Sequence, residues 1–247
     1  MTARGQSFIV ALFISWFCTL AQTNLPSPLY EFRKDHDPNG IGKFFMGREI
    51  AHVMGHQAAD WLERPEREEE ERVSLMLQAL PLKLGEAAAD IGAGTGYITK
   101  GLAEKVRLGG RVFAVDIQPE MLALLTNKMR GLRITNVIPV LGSITNASLP
   151  SNSVDLVLMV DVYHEFSHPY EMMQSICAAL KPSGRVVFVE FRGEDPTVPI
   201  KEVHKMTQAQ LRKEMGLHPL DWVETKSILP RQHIVIFRKR SAPEKEK

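Results

Sequence analysis

Residues 89–100 read "ADIGAGTGYITK", with glycines at 92, 94 and 96 directly after the apolar run Ala87–Ile91. A dinucleotide-binding loop needs Gly-x-Gly-x-x-Gly, and the third position here is Tyr97, with Gly96 arriving one residue early. Asp90 stands just ahead of the loop. A carboxylate there repels a pyrophosphate, but it suits ordering the loop or facing a cationic, amino-acid-like group. Asp116 closes "RVFAVD" about 20 residues later, where a strand-terminal carboxylate can accept hydrogen bonds from both hydroxyls of an adenosine ribose. NAD enzymes share that acid. The combination of Asp90, the three glycines and Asp116 points to an adenosine cofactor other than a dinucleotide.

Around the loop a regular rhythm unfolds. Ala87–Ile91, Val112–Asp116, Val137–Leu141, Val154–Val160 and Arg185–Glu190 are short apolar runs rich in β-branched residues. Helical periodicity separates them, most clearly at Thr95–Val106, Pro119–Arg130 and Pro169–Leu180, and a further helix is expected at Thr207–Met215. Asp221–Ser227 and His233–Phe237 flank "LPRQ" and read as two strands joined by a turn. Strands alternating with helices predict an α/β, Rossmann-like open sheet. It should be mostly parallel and seven-stranded, with helices on both faces and an antiparallel edge strand. Ligands bind such sheets beyond the carboxyl ends of the strands. Chemistry is therefore expected just after Ile91, Val115, Leu141, Val160 and Glu190.

The 247 residues carry a formal charge of +1, which offers no electrostatic attraction to nucleic acid. At the N-terminus, Arg4 precedes an uncharged apolar stretch from Phe8 to about Ala21. That is the pattern of a signal peptide or membrane anchor over residues 1–21, so the protein is expected to be exported or membrane-anchored. A buried first helix in a cytoplasmic protein is the alternative. Residues 22–81 are expected to form a connector and a helical lid. The first lid helix spans Lys43–Trp61, with Ile50, Val53 and Met54 as its stripe, and Arg48 near the substrate. The second starts at Pro65, with the glutamates of "EREEEE" as a solvated, dipole-matched first turn and Val73, Leu77 and Leu80 buried. The cofactor domain occupies 82–238, and 239–247 is a charged tail. With the leader removed, Cys177 is the only thiol and reads as a small core residue.

Asp90, the glycine loop and Asp116 resemble the class I S-adenosylmethionine-dependent methyltransferases over roughly Leu82–Phe237. "LPSNSVDLVLMVDVYHEF" and "ALKPSGRVVFVEF" follow the plan of the type 11 methyltransferase-domain proteins, whose members include ubiquinone/menaquinone-type methyltransferases. "MGREIAHVMGHQAADWLERPEREEEER" and "LPRQHIVIF" look like a narrower, often leader-bearing bacterial branch. The resemblance implies S-adenosylmethionine as cofactor and a small-molecule acceptor, quinone-like or otherwise amphiphilic. It assigns Asp90, Gly92, Ala93 and Gly94 to the methionine side, Gly96 to close packing, Asp116 to the ribose and Ile117 to the adenine. Many relatives place an acid after the third strand. This chain reads "LGSITNASLP" there, so Ser143, with Ile144 beside it, or a backbone group takes that place.

Methyl transfer is an in-line displacement, and the enzyme must align a nucleophile and sometimes remove its proton. Candidate groups after the fourth strand are Asp161, Tyr163, His164 and Glu165. His164 is expected as the base, Glu165 as its orienting partner, Tyr163 as a platform for an aromatic acceptor, and Asp161 also as a cofactor contact. Glu190, Arg192, Glu194, Asp195, His204 and Lys205 form a second group after the fifth strand. His52 and His56 stand one helical turn apart but lack a third ligand, so no metal is expected. Two other classes stay open: a non-catalytic cofactor-binding or interaction protein, and a nicotinamide-dependent oxidoreductase, which Tyr97 disfavours.

Overall fold

The computed structural model describes residues 29–241; the leader expected over 1–21 lies outside them. Among the described residues no helix is long and apolar enough to cross a membrane. The first lid helix is replaced by a hairpin. β1 (Tyr30–Phe32), β2 (Gly40–Phe45) and β3 (Arg48–Ala51) form an antiparallel three-stranded sheet in the order β1-β2-β3. Met46 and Gly47 both have positive φ, 50° and 94°, and Phe45 pairs with Arg48 across them. Two left-handed residues form a two-residue turn whose twist matches flanking strands, which overrides the helical spacing of Ile50, Val53 and Met54.

The second lid helix is also divided. α1 (Ala59–Leu62) precedes α2 (Arg67–Glu71) and α3 (Val73–Ala79), and Arg72 sits between the last two at φ 52°, a left-handed residue that ends one helix and opens the next. Val73 and Leu80 are buried as expected, joined by Met76, while Leu77 is only partly so. The glutamates are not a uniformly solvated face. Glu71 is buried between Arg64 and Arg67, and Glu70 pairs with Arg64 and Arg231.

The remaining chain forms the expected sheet. Its elements are β4 (Ala87–Ile91), α4 (Tyr97–Val106), β5 (Arg111–Asp116), α5 (Pro119–Gly131), β6 (Val137–Leu141), β7 (Val154–Val160), α6 (Pro169–Ala179), β8 (Leu180–Arg192), β9 (Lys205–Met206), α7 (Gln208–Met215), β10 (Leu220–Lys226) and β11 (Gln232–Lys239). Seven strands run in the order β10-β11-β8-β7-β4-β5-β6, with the two-residue β9 added beside β8. Pairs from β8 to β6 are parallel, and β11 is antiparallel to both neighbours.

Period-2 alternation divides the core between the two faces. Val157 and Met159 of β7 join α6 and α7 on one side, whereas Leu156 and Leu158 join α3 and α4 on the other. Pro119 and Pro169 occupy first-turn positions of α5 and α6, where a missing N–H costs nothing. Thr207 caps α7 by accepting from Gln210 N at 3.0 Å. Because β4 and β5 are neighbours, their carboxyl ends place the glycine loop beside Asp116. β7 on the other side of β4 brings the segment after Val160 to the same rim.

Candidate active site

One cleft of about 800 Å³ runs along that rim. Gly92 and Gly94 form part of its floor, with φ 72° and 52°. A Cβ on Gly92 would lie 2.5 Å from Val162, and one on Gly94 would lie 2.6 Å from Leu62 of α1. Backbone geometry calls for glycine at both places, and at Gly92 the β-branched Val162 also leaves no room for a Cβ. The N–H groups of Gly92 and Ala93 donate to Val115 O at 2.9 and 3.0 Å, fastening the loop to β5.

Asp116 sits at the end of β5 and lines the cleft. Its carboxylate accepts from Gly94 N and Gln118 N, each at 2.9 Å. Two bonds leave a carboxylate acceptor capacity for a ligand's hydroxyls. Burial raises its pKa, while these backbone donors pull it back. Ile117 lines the same wall and is 36% exposed, leaving an apolar surface open to a flat ring. Gln118 adds a contact that sequence reading missed. Its amide donates to Met54 O at 2.9 Å and accepts from His56 N at 2.8 Å, tying the lid segment to β5.

Several expected contacts lie elsewhere. Asp90 does not line the cleft; Thr99 Oγ1 donates to it at 2.6 Å, and burial pushes its pKa up to about 7. Its strand parity turns it toward α4, opposite to Ala89. Ala93 is buried with Ala114, Leu125 and Met129 instead of facing a ligand. Gly96 packs against α5, since a Cβ there would meet Leu125 at 2.9 Å and Met129 at 3.0 Å. Ser143 is exposed and outside the cleft lining, whereas Ile144 beside it lines the cleft. Tyr163 is fully buried: its hydroxyl donates to Glu214 at 2.6 Å and its ring packs on Phe166 and Phe188, so it is no platform for an acceptor.

Asp161 does line the cleft. It has φ 50°, a left-handed geometry that Asp tolerates better than most residues. Gln232 donates to Oδ2 at 2.6 Å, but Oδ1 is shielded with no partner. Desolvation, with Glu71 and Glu190 nearby, raises its pKa well above the usual carboxylate range, and Arg67 offsets part of this. A shielded carboxylate oxygen without a donor favours a ligand that brings one.

At the far end of the cleft His164, Glu165 and His204 converge. His164 Nδ1 is 2.6 Å from Glu190 Oε2, and its Nε2 is 3.0 Å from His204 Nδ1. Glu165 Oε1 lies 4.0 Å from His204 Nδ1. Burial lowers both imidazoles to about 4, and raises Glu165 to about 7 and Glu190 to about 8. Burial thus weakens the expected base His164 as a proton acceptor and strengthens the carboxylates beside it. One ligand-capable atom of each of His164, Glu165 and His204 falls within 4.8 Å of the others. His52 and His56 do not share a helix, since one follows β3 and the other opens a short 3-10 turn.

Arg48 is not over the cleft. It forms a two-pronged ion pair with the fully buried Glu214 of α7, at 2.8 and 3.1 Å, and donates to His164 O at 3.2 Å. Arg192 donates to the carbonyls of Leu229, Pro230 and Gln232, closing the turn before β11. Glu194 accepts from Gln208 N at the start of α7, and Asp195 from Thr197 N. These are structural roles. Of the second group, His204 alone lines the cleft, while Glu190 reaches it through His164.

A switch-point cleft with a glycine loop and a strand-end acid is the nucleotide-binding geometry of an open α/β sheet. Comparison with known proteins agrees. Residues 89–188 match the family model described as a methyltransferase domain. A demethylmenaquinone methyltransferase from Tropheryma whipplei is 35% identical over 114 residues, covering 45% of this chain and 44% of that protein. A SAM-dependent methyltransferase from Aquifex aeolicus superposes with a TM-score of 0.71 at 21% identity, over 76% of this chain and 100% of its own. The [4+2]-cyclase SpnF shares the fold with a TM-score of 0.61 at 14% identity, over 79% and 87%, so the fold alone does not fix the reaction. The chain spans about half the length of the curated relatives it matches. Residues 89–188 are thus similar to the methyltransferase domain of type 11, a class whose cofactor is S-adenosylmethionine, and the solved structures share its fold.

Proposed function

We propose that the protein transfers a methyl group from S-adenosylmethionine to a small, apolar or aromatic acceptor of quinone type. The observation that carries this reading is the continuity of one cleft. It runs from Gly92, Gly94 and Asp116 at one end to His164, Glu165 and His204 at the other. Asp116 would hold the ribose and Ile117 the adenine. The unpartnered oxygen of Asp161 suits an ammonium. When bound, S-adenosylmethionine supplies an electrophilic methyl group. The chain's own residues then have to hold the acceptor in line, exclude water and take up any proton that leaves. Val53, Met54, Phe166, Met172 and Ile200 give the acceptor end an apolar wall. The quinone assignment is supported by the named activity of the Tropheryma relative.

Calorimetric titration with S-adenosylhomocysteine tests the cofactor half. Asp116→Ala should weaken binding by roughly 1.5–3 kcal/mol while the fold persists, because hydrogen bonds to a charged group are lost. Undiminished affinity would overturn the ribose assignment. Turnover of a demethylated hydroquinone, followed by mass gain of one methyl, tests the acceptor.

A further inference from the structure

We propose that His164, His204 and Glu165 form a site for a divalent transition-metal ion, presented at the acceptor end of the cleft to an oxygen-bearing acceptor. The acceptor clause rests on the methyl-transfer reading; the metal site itself stands on geometry. The three groups come from two segments, the turn after β7 and the turn before β9, and all line the cleft. His164 Nε2 and His204 Nδ1 are 3.0 Å apart, and their rings stand nearly perpendicular at 81°. Two imidazole nitrogens bound tetrahedrally at about 2.0–2.1 Å lie about 3.3 Å apart, so a small opening of this pair seats an ion. Glu165 Oε1, 4.0 Å from His204 Nδ1, comes into range by rotation of its side chain.

Two features separate this arrangement from a simple hydrogen bond between rings. A cation at Nε2 requires the His164 proton on Nδ1, and Glu190 Oε2 sits 2.6 Å from Nδ1 to accept it. A carboxylate behind a ligating histidine is the usual outer partner of a metal ligand. A cation would also draw the protons off Glu165 and Glu190, which burial holds at about 7 and about 8, and supply the counter-charge they lack. Glu165 and Glu190 are both withdrawn from solvent, and among the described residues no lysine or arginine lies within 4.0 Å of either carboxylate. The nearby cations are engaged elsewhere, Arg48 with Glu214 and Lys201 with Asn39. Two imidazoles and one carboxylate suit zinc, iron, cobalt or nickel far better than magnesium or calcium. Three protein ligands leave a coordination position open toward the cleft, where a phenolic or enolic oxygen fits.

Cobalt(II) is the probe, because imidazole and carboxylate ligation gives it visible absorption. Titrating the full chain with Co²⁺ should produce a band that saturates at one equivalent and is displaced by Zn²⁺. His204→Ala should abolish the band while S-adenosylhomocysteine still binds. Glu190→Gln, which removes the outer carboxylate, should weaken Co²⁺ binding about 10–100-fold. Thermal melting confirms that His204→Ala folds; if it does not, Glu165→Gln replaces it with the same expected loss. Asp116→Ala should bind the nucleoside more weakly but keep the cobalt band, so failure of the metal site and failure of the cofactor reading give different results. No band at one equivalent in the unaltered protein, or a band undiminished in the ligand variants, overturns the proposal.

Discussion

The two ends of the cleft are built by different means. The cofactor end is mainly backbone. Gly92, Ala93 and Gly94 fold back on Val115 and Asp116, and the loop and its strand-end acid lie within one βαβ unit. The acceptor end is an assembly of distant side chains. Arg48 reaches Glu214 across 166 residues and His164 O across 116, while His164 meets Glu190 and His204 from 26 and 40 residues away. A backbone-built site is specified locally and tolerates change around it. A site built from buried polar side chains depends on each member, because a group left alone in low dielectric costs far more than its partner contributed.

The sharpest way to break this contrast is at Arg48. Its guanidinium is the partner of a fully buried Glu214, which also accepts from Tyr163 and Gln210. Arg48→Met keeps much of the side-chain volume but leaves that carboxylate without its cation. Chemical denaturation should show a loss of roughly 3–5 kcal/mol, the range for removing one member of a buried pair. The cofactor end should be spared, so affinity for S-adenosylhomocysteine of the folded fraction should stay within about threefold. A stability loss below about 1 kcal/mol would show that the hairpin is not fastened through Arg48.

The same contrast explains what was legible in the sequence. The strands β4 to β7, the helices between them and the loop with Asp116 follow from local pattern, since the period of apolar residues and the glycine spacing are both short-range signals. For that reason the pattern picks out Gly92, Gly94, Asp116, Ile117, Ile144, Asp161, His164 and Glu165, all of which line the cleft. The hairpin is not legible in this way. Its decisive feature is a two-residue turn at Met46 and Gly47, and methionine gives no warning of a positive φ. Nor does sequence show that Tyr163 turns inward to Glu214 while the next residue, His164, faces the cleft. His204 was readable only as one of several polar residues after β8. Its convergence with His164 is a tertiary fact. Asp90 lies outside the cleft lining for a simpler reason: on a strand, facing α4 or facing the cleft is a matter of parity, and the loop motif drew it toward the cofactor.

Asp90→Asn tests that placement. Burial raises the carboxyl to about 7 from an ordinary 3.8, with Thr99 and Arg67 opposing the shift. Between about pH 4 and 7 the folded protein therefore holds a proton that the unfolded chain has released, so stability falls as pH rises through that window. Asparagine keeps an oxygen for Thr99 and has no proton to lose. The variant's advantage over the parent should be small at pH 4 and grow to roughly 2–4 kcal/mol by pH 8, measured by urea unfolding at each pH. Cofactor affinity should hold within about threefold. A tenfold loss of affinity would return Asp90 to the methionine side of the cofactor.

The smallest expected effect is at Ser143, and it bears on how much of the adenine end is side chain at all. Ser143 is exposed, and its hydroxyl has only long contacts, 3.5 Å to Asn146 O and 3.4 Å from Thr145 N. The turn it belongs to is held by backbone bonds instead: Gly142 N to Asp116 O at 2.9 Å and Ser143 N to Asn146 O at 2.8 Å. Those bonds set the position of Ile144, whose side chain lines the cleft. Ser143→Ala keeps all of them. Stability and S-adenosylhomocysteine affinity should each change by less than about 0.5 kcal/mol, the usual range for a surface substitution away from such features. Ile144→Ala, which removes apolar surface from the cleft wall, should cost more affinity than Ser143→Ala. The reverse order would mean that the hydroxyl itself reaches the adenine when the loop closes, and the cofactor end would then depend on side chains as the acceptor end does.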